Sequence, residues 1–321
     1  MKTYHNRGDR PTKTGFGLGV LAAARLDDNV LGIGADITAS VGMNLFADAF
    51  PERFISLGIA EQNCIGVAAG LALSGKTPVF STYGVFAALR PADQIRISVC
   101  YNNVHVVIGG AHAGISVGPD GATHQALEDI AVMRVMPNMT VISPCDATQT
   151  EILTRQAILD PDGPVYIRFG REAVPDFTEI EQPVEIGKGQ MLNPGNDVSI
   201  LATGHLVWEA LQAAEMLAAE NISARVVNIH TIKPLDEELI IRAAKETGAI
   251  VTAEEHQIPG GFGSAVAGAV VEKYPVPMEF IGMHDTFGES GQPGELMEKY
   301  GLKANNIAAA AKRAIKRKMS I

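Results

Sequence analysis

The stretch ISLGIAEQN, residues 55–63, places an acidic residue, Glu61, a few positions after a short apolar run. The run predicts a buried β-strand, and the small apolar residues 64–72 predict a helix that begins near the glutamate. Ligands of parallel sheets bind at the carboxyl ends of the strands, and Glu61 is expected at such an end. A glutamate in the first turn of a helix is also an ordinary stabilising residue, so the position by itself leaves both interpretations open.

The alternation of apolar strands and alanine-rich helices extends on both sides of this stretch. Predicted strands cover residues 30–33, 54–57, 79–80, 104–108, 140–142 and 165–168. Predicted helices cover residues 16–26, 61–73, 92–100, 127–133 and 147–159. Such alternation is typical of a mostly parallel, twisted sheet with helices on both faces.

The pattern lapses over residues 172–196, which contain several prolines and glycines and are interpreted as a linker. Beyond it, strands are predicted at 198–202, 224–228, 250–253 and 278–281, and helices at 206–219, 237–247, 261–273 and 294–300. We therefore expect an α/β fold with two domains of the same type. Their expected limits are residues 1–178 and 197–321, with a linker at 179–196.

Composition argues against several classes of protein. The chain has 321 residues, 46% of them hydrophobic, which is enough for two cores. Its formal net charge of −10 argues against nucleic-acid binding, and the basic residues at 312–318 are interpreted as the solvated face of a last helix. The chain has no run of 18 apolar residues, so we predict no membrane span.

The cysteines and the N-terminal residues indicate the compartment. Cys64, Cys100 and Cys145 lie far apart in apolar runs, which predicts buried free thiols in a reducing environment. The N-terminal residues are polar and do not resemble a secretory signal. The cytoplasm is therefore the expected location.

Four segments, taken together, resemble the transketolase family, and within it the C-terminal subunits of enzymes split into two chains. They are LGIAEQN at 57–63, GPDGATHQALEDIAVMRVMPNMTV at 118–141, IRFGREAVP at 167–175 and EEHQIPGGFGSAVA at 254–267. The resemblance runs from Pro11 to Leu302. It implies a pyrimidine-binding domain and a transketolase C-terminal domain. It also implies an enzyme that uses thiamine diphosphate to transfer a two-carbon ketol unit from a ketose phosphate to an aldose.

The resemblance assigns four residues to the coenzyme. Glu61 matches the glutamate that hydrogen-bonds to the aminopyrimidine ring in this family, and it is expected to be essential for turnover. Tyr83 and Phe86 match an aromatic pair that stacks on the ring, although the family usually has phenylalanine at the first position. Asp36 matches an acid near the thiazolium, or it serves as a cap in a loop after a strand.

The resemblance also assigns residues to a sugar phosphate. His112, Asp120 and His124 match two histidines and an aspartate of a glycine-rich loop, with Asp120 and His124 near the reacting carbon and His112 nearer the phosphate. Arg171 matches a phosphate-binding arginine. Two further phosphate contacts are matched by Ser40 and by Lys13, where the family commonly has arginine. Arg90 and Arg168 receive no role at this point.

The chain lacks the GDG motif and downstream asparagine with which the family holds Mg²⁺ and the diphosphate. No metal site is therefore expected in this chain. The resemblance implies that a separate N-terminal subunit holds the diphosphate and Mg²⁺, and that the two kinds of chain form a heterotetramer. The second domain is expected to support association without a catalytic group. Residues 255–263 within it are interpreted as a structural start of a helix.

Three alternatives are kept. The beta subunit of a 2-oxo acid dehydrogenase shares the two-domain plan but has no need of the loop at residues 120–124. Deoxyxylulose-phosphate synthase is normally one long chain, and it tends to carry Phe-Asp where this chain has Glu128 and Asp129. The third alternative is a non-catalytic assembly subunit, against which the presence of Glu61, Asp120 and His124 argues.

Overall fold

The computed structural model describes residues 4–160, 162–180 and 183–320. Its strands are β1 Asp9–Pro11, β2 Val30–Gly34, β3 Phe54–Ser56, β4 Thr77–Tyr83, β5 Val107–Ala111, β6 Thr140–Ile142, β7 Val165–Arg168, β8 Ala173–Pro175, β9 Gln190–Asn193, β10 Val198–Ala202, β11 Ala224–Asn228, β12 Thr231–Lys233, β13 Ile250–Gln257 and β14 Met278–Met283. Its α-helices are α1 Thr12–Ala24, α2 Asn44–Ala49, α3 Glu61–Leu73, α4 Gly84–Leu89, α5 Ala92–Gln94, α6 Asp129–Val135, α7 Ala147–Leu159, α8 Leu206–Ala219, α9 Glu237–Thr247, α10 Phe262–Lys273, α11 Pro293–Lys299 and α12 Ala304–Lys318. A π-helix covers Ile95–Tyr101, and 3₁₀ turns cover Pro51–Arg53 and Ile115–Asp120.

The first sheet has the strand order β12-β6-β7-β5-β4-β2-β3. Strands β2 to β7 are parallel, and helices connect most of them. The central strand β5 is buried at every residue, because helices cover both faces of the sheet. This arrangement brings the carboxyl ends of β2, β3, β4, β5 and β7 to one edge.

The second sheet has the order β14-β13-β10-β11-β9, with β9 antiparallel to its neighbour. The two halves of the chain are also joined directly. Strand β12, from the second half, is the outermost strand of the first sheet and pairs antiparallel with β6. One hydrophobic core contains Phe80 and Tyr166 from the first half together with Ile229 and Ile232 from the second. The halves are therefore packed on each other and share apolar side chains.

The predicted α/β class is confirmed, and helix α3 begins at Glu61 as predicted. Some boundaries differ. The strand predicted at 104–108 lies at Val107–Ala111, and the helix predicted at 92–100 continues from α5 into the π-helix. The segment 172–196, where the pattern lapses, contains two strands: β9 lies within the predicted linker at 179–196, and β8 lies within the predicted first domain. These strands and β12 have three or four residues each, too few for sequence periodicity to reveal them.

The three cysteine thiols are free and buried, as the apolar runs around them predict. Burial raises the pKa of Cys64 and of Cys100 to about 11. Among the described residues, no helix combines the length and the apolar character needed to cross a bilayer.

Candidate functional site at the carboxyl edge of the first sheet

The residues singled out in the sequence follow the carboxyl ends of neighbouring strands. Asp36 follows β2, Glu61 follows β3, and Tyr83 ends β4. His112 follows β5, and Arg171 follows β7. Because these strands are parallel neighbours, the fold gathers all five residues at one edge of the sheet.

Glu61 is the first residue of α3 and is only 5% exposed. Its Oε1 accepts a hydrogen bond from Nη1 of Arg90 over 2.8 Å. We find no other hydrogen bond to this carboxylate within the described ranges, and α3 begins without a side-chain cap. Glu61 therefore does not serve as a hydrogen-bonding cap of its own helix.

Aromatic rings form a wall beside this carboxylate. The ring of Tyr83 lies 5.8 Å from that of Phe86 and 4.2 Å from that of His112, measured between centroids. The His124 ring meets Phe86 edge-on at 5.4 Å. The guanidinium of Arg90 lies 3.7 Å from the centre of the Phe86 ring, a cation–π distance. The aromatic wall can hold a flat ring against it, and the Glu61 carboxylate can accept a hydrogen bond from a donor at the edge of that ring.

His112 is 3% exposed, and its Nδ1 is buried with no hydrogen-bond partner in the part of the chain that the structure describes. Burial, together with the positive charges of Lys13 and Arg171, lowers the pKa of His112 to about 4. The residue also has a backbone φ of 53°, a conformation that costs free energy for a residue other than glycine. A neutral imidazole with an unpaired nitrogen, held in a strained turn, suits contact with a polar ligand.

The loop after His112 turns at Gly114, Gly118 and Gly121, all with positive φ, and these turns allow it to fold over the site. Nη1 of Arg171 lies 3.0 Å from each carboxylate oxygen of Asp120. The structure thus pairs the residue predicted to bind phosphate with a residue predicted to contact substrate hydroxyls.

Lys13 and Ser40 lie on the same side of the site as Arg171. The backbone N–H of Lys13 donates to the carbonyl of Gly170 over 3.3 Å. The carbonyl of Lys13 packs against Gly42, two residues after Ser40, where a Cβ would approach it to 2.4 Å. This packing brings the turn that carries Ser40 against the start of α1.

Asp36 lies on the side of Glu61. It has a φ of 64° and accepts a hydrogen bond from Oγ of Ser56 over 3.3 Å. A Cβ at Gly58 would lie 4.0 Å from its Oδ2. Asp36 therefore belongs to the part of the edge around Glu61, and Lys13 and Ser40 to the part around Arg171.

Two arginines without a predicted role are placed by the structure. Arg90 binds Glu61, and the four-residue spacing from Phe86 is a sequence signal that places both side chains on one helical face. Arg168 is 4% exposed, forms an ion pair with Asp129 at 3.0 Å, and donates to the carbonyl of Glu255. Arg168 therefore has a structural role in joining the two halves.

Two family models match the chain. The model for the transketolase pyrimidine-binding domain matches residues 9–176, and the model for the transketolase C-terminal domain matches residues 187–307.

Individual proteins match over most of the chain. The chain is 44% identical over 299 residues to the 6-deoxy-6-sulfo-D-fructose transketolase subunit of Clostridium sp. (strain MSTE9), covering 93% of this chain and 92% of that protein. It is 41% identical over 296 residues to 1-deoxy-D-xylulose-5-phosphate synthase of Heliobacterium modesticaldum, covering 91% of this chain but 45% of the synthase. A solved structure described as a split-gene transketolase, inactive β4 tetramer, superposes with a TM-score of 0.90 at 46% identity, covering 96% of this chain and 99% of that chain.

Proposed function

We propose that this chain, which belongs to the transketolase family, is the C-terminal, pyrimidine-binding subunit of a two-chain, thiamine diphosphate-dependent transketolase. Its reaction is the transfer of a two-carbon ketol unit from a ketose phosphate to an aldose acceptor. The observation that carries this proposal is the buried carboxylate of Glu61 at the carboxyl edge of the sheet, beside the rings of Tyr83 and Phe86.

The residues present fit the aminopyrimidine of thiamine diphosphate. Glu61 offers a buried acceptor that the α3 backbone does not use, and Tyr83 and Phe86 offer apolar ring faces. Asp36 lies on the same side and is assigned to the thiazolium. When bound, the coenzyme supplies the stabilised carbanion, while the protein supplies orientation and electrostatics. The role of Glu61 is to hold the ring and fix its tautomer through a hydrogen bond.

The other part of the edge suits a phosphorylated sugar. Lys13 and Arg171 supply positive charge for the phosphate, and Ser40 supplies a hydroxyl donor. His112 contributes a neutral hydrogen-bonding nitrogen, because burial keeps its pKa at about 4. Asp120 and His124 are assigned to the sugar hydroxyls near the reacting carbon, where they act as catalytic residues.

A separate N-terminal subunit is proposed to bind the diphosphate and Mg²⁺. The absence of a GDG motif from the sequence supports this assignment. The Clostridium relative is named a transketolase subunit, and the similar split-gene transketolase structure is described as an inactive tetramer, both of which agree with a divided enzyme. Ile59 and Leu89, which flank Glu61 and Arg90, are 72% and 45% exposed, as expected of an interface. Two copies of this chain, associated with each other and with two N-terminal subunits, are proposed to form a heterotetramer.

Three further assignments belong to the same proposal. The domain limits are residues 1–178 and 197–321, with a linker at 179–196. The cytoplasm is the proposed location. The substrate is proposed to be a ketose phosphate, of which xylulose 5-phosphate with ribose 5-phosphate as acceptor is the first pair to test.

The test uses the purified chain with and without its N-terminal subunit, in the presence of thiamine diphosphate and Mg²⁺. We expect ketol transfer from the reconstituted pair and none from this chain alone. Robust turnover by the isolated chain contradicts the divided site.

A panel of donors identifies the substrate. It contains several ketose phosphates and 6-deoxy-6-sulfofructose, the sugar named for the Clostridium relative. Pyruvate with an aldose phosphate is included because the synthase relative is 41% identical. Turnover with pyruvate and with no other donor favours a deoxyxylulose-phosphate synthase. Absence of turnover with every donor favours an assembly subunit.

A further inference from the structure

Glu255, on strand β13 of the second half, reaches the loop that carries His112, Asp120 and His124. Its Oε1 accepts the backbone N–H of Ser116 over 2.6 Å. A Cβ at Gly114 would lie 2.3 Å from the Glu255 carboxyl carbon, so the carboxylate sits directly beneath the turn. The loop is therefore held from below by a residue 139 positions away in sequence.

The same glutamate reaches the opposite side of the site through His205. Oε2 of Glu255 lies 3.2 Å from Nδ1 of His205. The His205 ring packs against Gly170, where a Cβ would approach its Cε1 to 2.8 Å. Gly170 directly precedes Arg171, so one carboxylate supports both the loop and the turn that carries the proposed phosphate ligand.

The backbone of Glu255 adds a third connection. Nη2 of Arg168 donates to the Glu255 carbonyl over 2.8 Å and to the Ala126 carbonyl over 3.0 Å. Ser116 lies near the start of the loop and Ala126 just after its end. Both ends are thus tied to residue 255.

Helix capping, the role interpreted for this segment, belongs to the neighbouring residue. Glu254 accepts the backbone N–H groups of Phe262 and Gly263 at the start of α10, over 2.6 and 2.7 Å. Successive side chains of a strand point to opposite faces, so Glu255 points away from that helix and toward the loop. Glu255 is 3% exposed, and burial of its carboxylate is unfavourable without polar partners. Oε1 has the Ser116 amide as its hydrogen-bond donor, whereas Oε2 makes no hydrogen bond within the described residues and has the His205 ring as its polar neighbour.

We propose that Glu255 and His205 are positioning residues of the second domain, which fix the distance between Asp120 and Arg171 and the placement of His112 for a phosphorylated substrate. This inference rests on the proposed function for the identity of the substrate. The polar contacts of Glu255 are with Ser116, His205 and Arg168, none of which is assigned to the coenzyme, so coenzyme binding is expected to be independent of it.

The first measurement is hydrogen exchange of residues 114–126 in the full-length chain. Glu255→Ala removes the acceptor of Ser116, and we expect exchange there to become faster by about tenfold or more. Glu255→Gln keeps an oxygen that accepts the same N–H, so its effect is smaller. Glu254→Gln is the matched control, which loosens the start of α10 and leaves the loop unchanged.

The second measurement uses the reconstituted pair. Glu255→Ala is expected to raise KM for the ketose phosphate by about tenfold or more and also to lower kcat, because the loop carries Asp120 and His124, while the Kd for thiamine diphosphate stays unchanged. His205→Gln is expected to act in the same direction. If Glu255→Ala does not fold, Glu255→Gln and His205→Gln provide the same two readouts.

Unchanged exchange in the loop, or an equal loss of coenzyme affinity and substrate affinity, overturns the positioning role. The exchange measurement needs neither substrate nor partner. It therefore decides the inference even if the wild-type pair shows no ketol transfer, an outcome that would count against the proposed function instead.

Discussion

Nη1 of Arg90 lies 2.8 Å from Oε1 of Glu61, and the same guanidinium covers the face of Phe86 at 3.7 Å. Arg90 thus contacts two of the groups that are assigned to the aminopyrimidine ring. Its side chain is 44% exposed, whereas that of Glu61 is 5% exposed. In this chain, a solvent-accessible cation neutralises a buried carboxylate at the centre of the proposed site.

Glu61→Gln is expected to lower kcat of the reconstituted pair by about 10²- to 10⁴-fold, the usual contribution of a positioned acid–base group. Glutamine has nearly the same shape, so the melting temperature provides a check that the fold is retained. Glu52→Gln is the control, because the Glu52 side chain is 70% exposed and lies before β3. Full activity of Glu61→Gln would remove the basis of the coenzyme assignment.

The ion pair between Arg90 and Glu61 is expected to contribute to the stability of the isolated chain. Arg90→Ala leaves a buried carboxylate unpaired and should lower the free energy of unfolding, whereas the same change in a Glu61→Gln background should cost less. A double-mutant cycle measured by urea unfolding should give a coupling of about 1 kcal/mol or less. The exposed pair Lys312 and Glu220 provides a comparison in which we expect weaker coupling. Equal coupling in both pairs contradicts a special role of burial at Glu61.

Arg171→Ala is expected to raise KM for a phosphorylated donor by about 10- to 100-fold, because charge-assisted hydrogen bonds to phosphate are lost and Asp120 loses its counter-ion. Arg171→Lys retains the charge without the fork of donors and should have an intermediate effect. Steady-state kinetics with phosphorylated and unphosphorylated donors separate the two contributions. Arg155→Ala, on the exposed face of α7, is the control. An equal effect on both donors would argue against a phosphate contact.

Protonation of His112 is expected to destabilise the fold in mild acid. Its pKa is about 4 in the folded chain against an ordinary 6.5, so between these values the unfolded chain binds more protons. The stabilisation from His112 is therefore complete above pH 6.5 and is lost as the pH falls toward 4, at no more than about 1.4 kcal/mol per pH unit.

The measurement compares the free energy of unfolding of the wild type and of His112→Gln from pH 7 to pH 4. The variant should show a shallower decline. The comparison between variants is needed because other buried groups also titrate, including Glu254, whose pKa burial raises to about 8 and whose contribution has the opposite slope. His5→Gln, at an exposed position, should follow the wild type. Parallel curves for His112→Gln and wild type contradict the prediction.

Gly15 is expected to be essential for the contact between α1 and α7. A Cβ at this position would lie 2.0 Å from the carbonyl oxygen of Ala147, which is backbone and cannot rotate away. Gly15→Ala should therefore lower the melting temperature. Gly268→Ala, in the exposed part of α10 with no atom within 4 Å of the new Cβ, should raise stability by about 0.5–1 kcal/mol. A stabilising effect of both changes would show that the helices can separate without cost.

Sequence reasoning succeeded where the signal is local. Alternating apolar strands and alanine-rich helices predicted two α/β units, and the position of Glu61 at the start of α3 followed from the strand and helix on either side of it. The strands of three or four residues, β8, β9 and β12, were missed because so short a segment shows no periodicity, and β12 forms by pairing with a strand distant in sequence.

The sequence by itself determined the fold class and the placement of the polar residues at the ends of strands, because hydrophobic periodicity and the succession of strands and helices along the chain depend on neighbouring residues. Only the tertiary structure decided which side chains meet. Arg90 meets Glu61 across 29 residues, and Glu255 meets the Ser116 amide across 139. Such contacts depend on how elements pack, and the hydrophobic pattern of an element specifies which face is buried without specifying the partner against it.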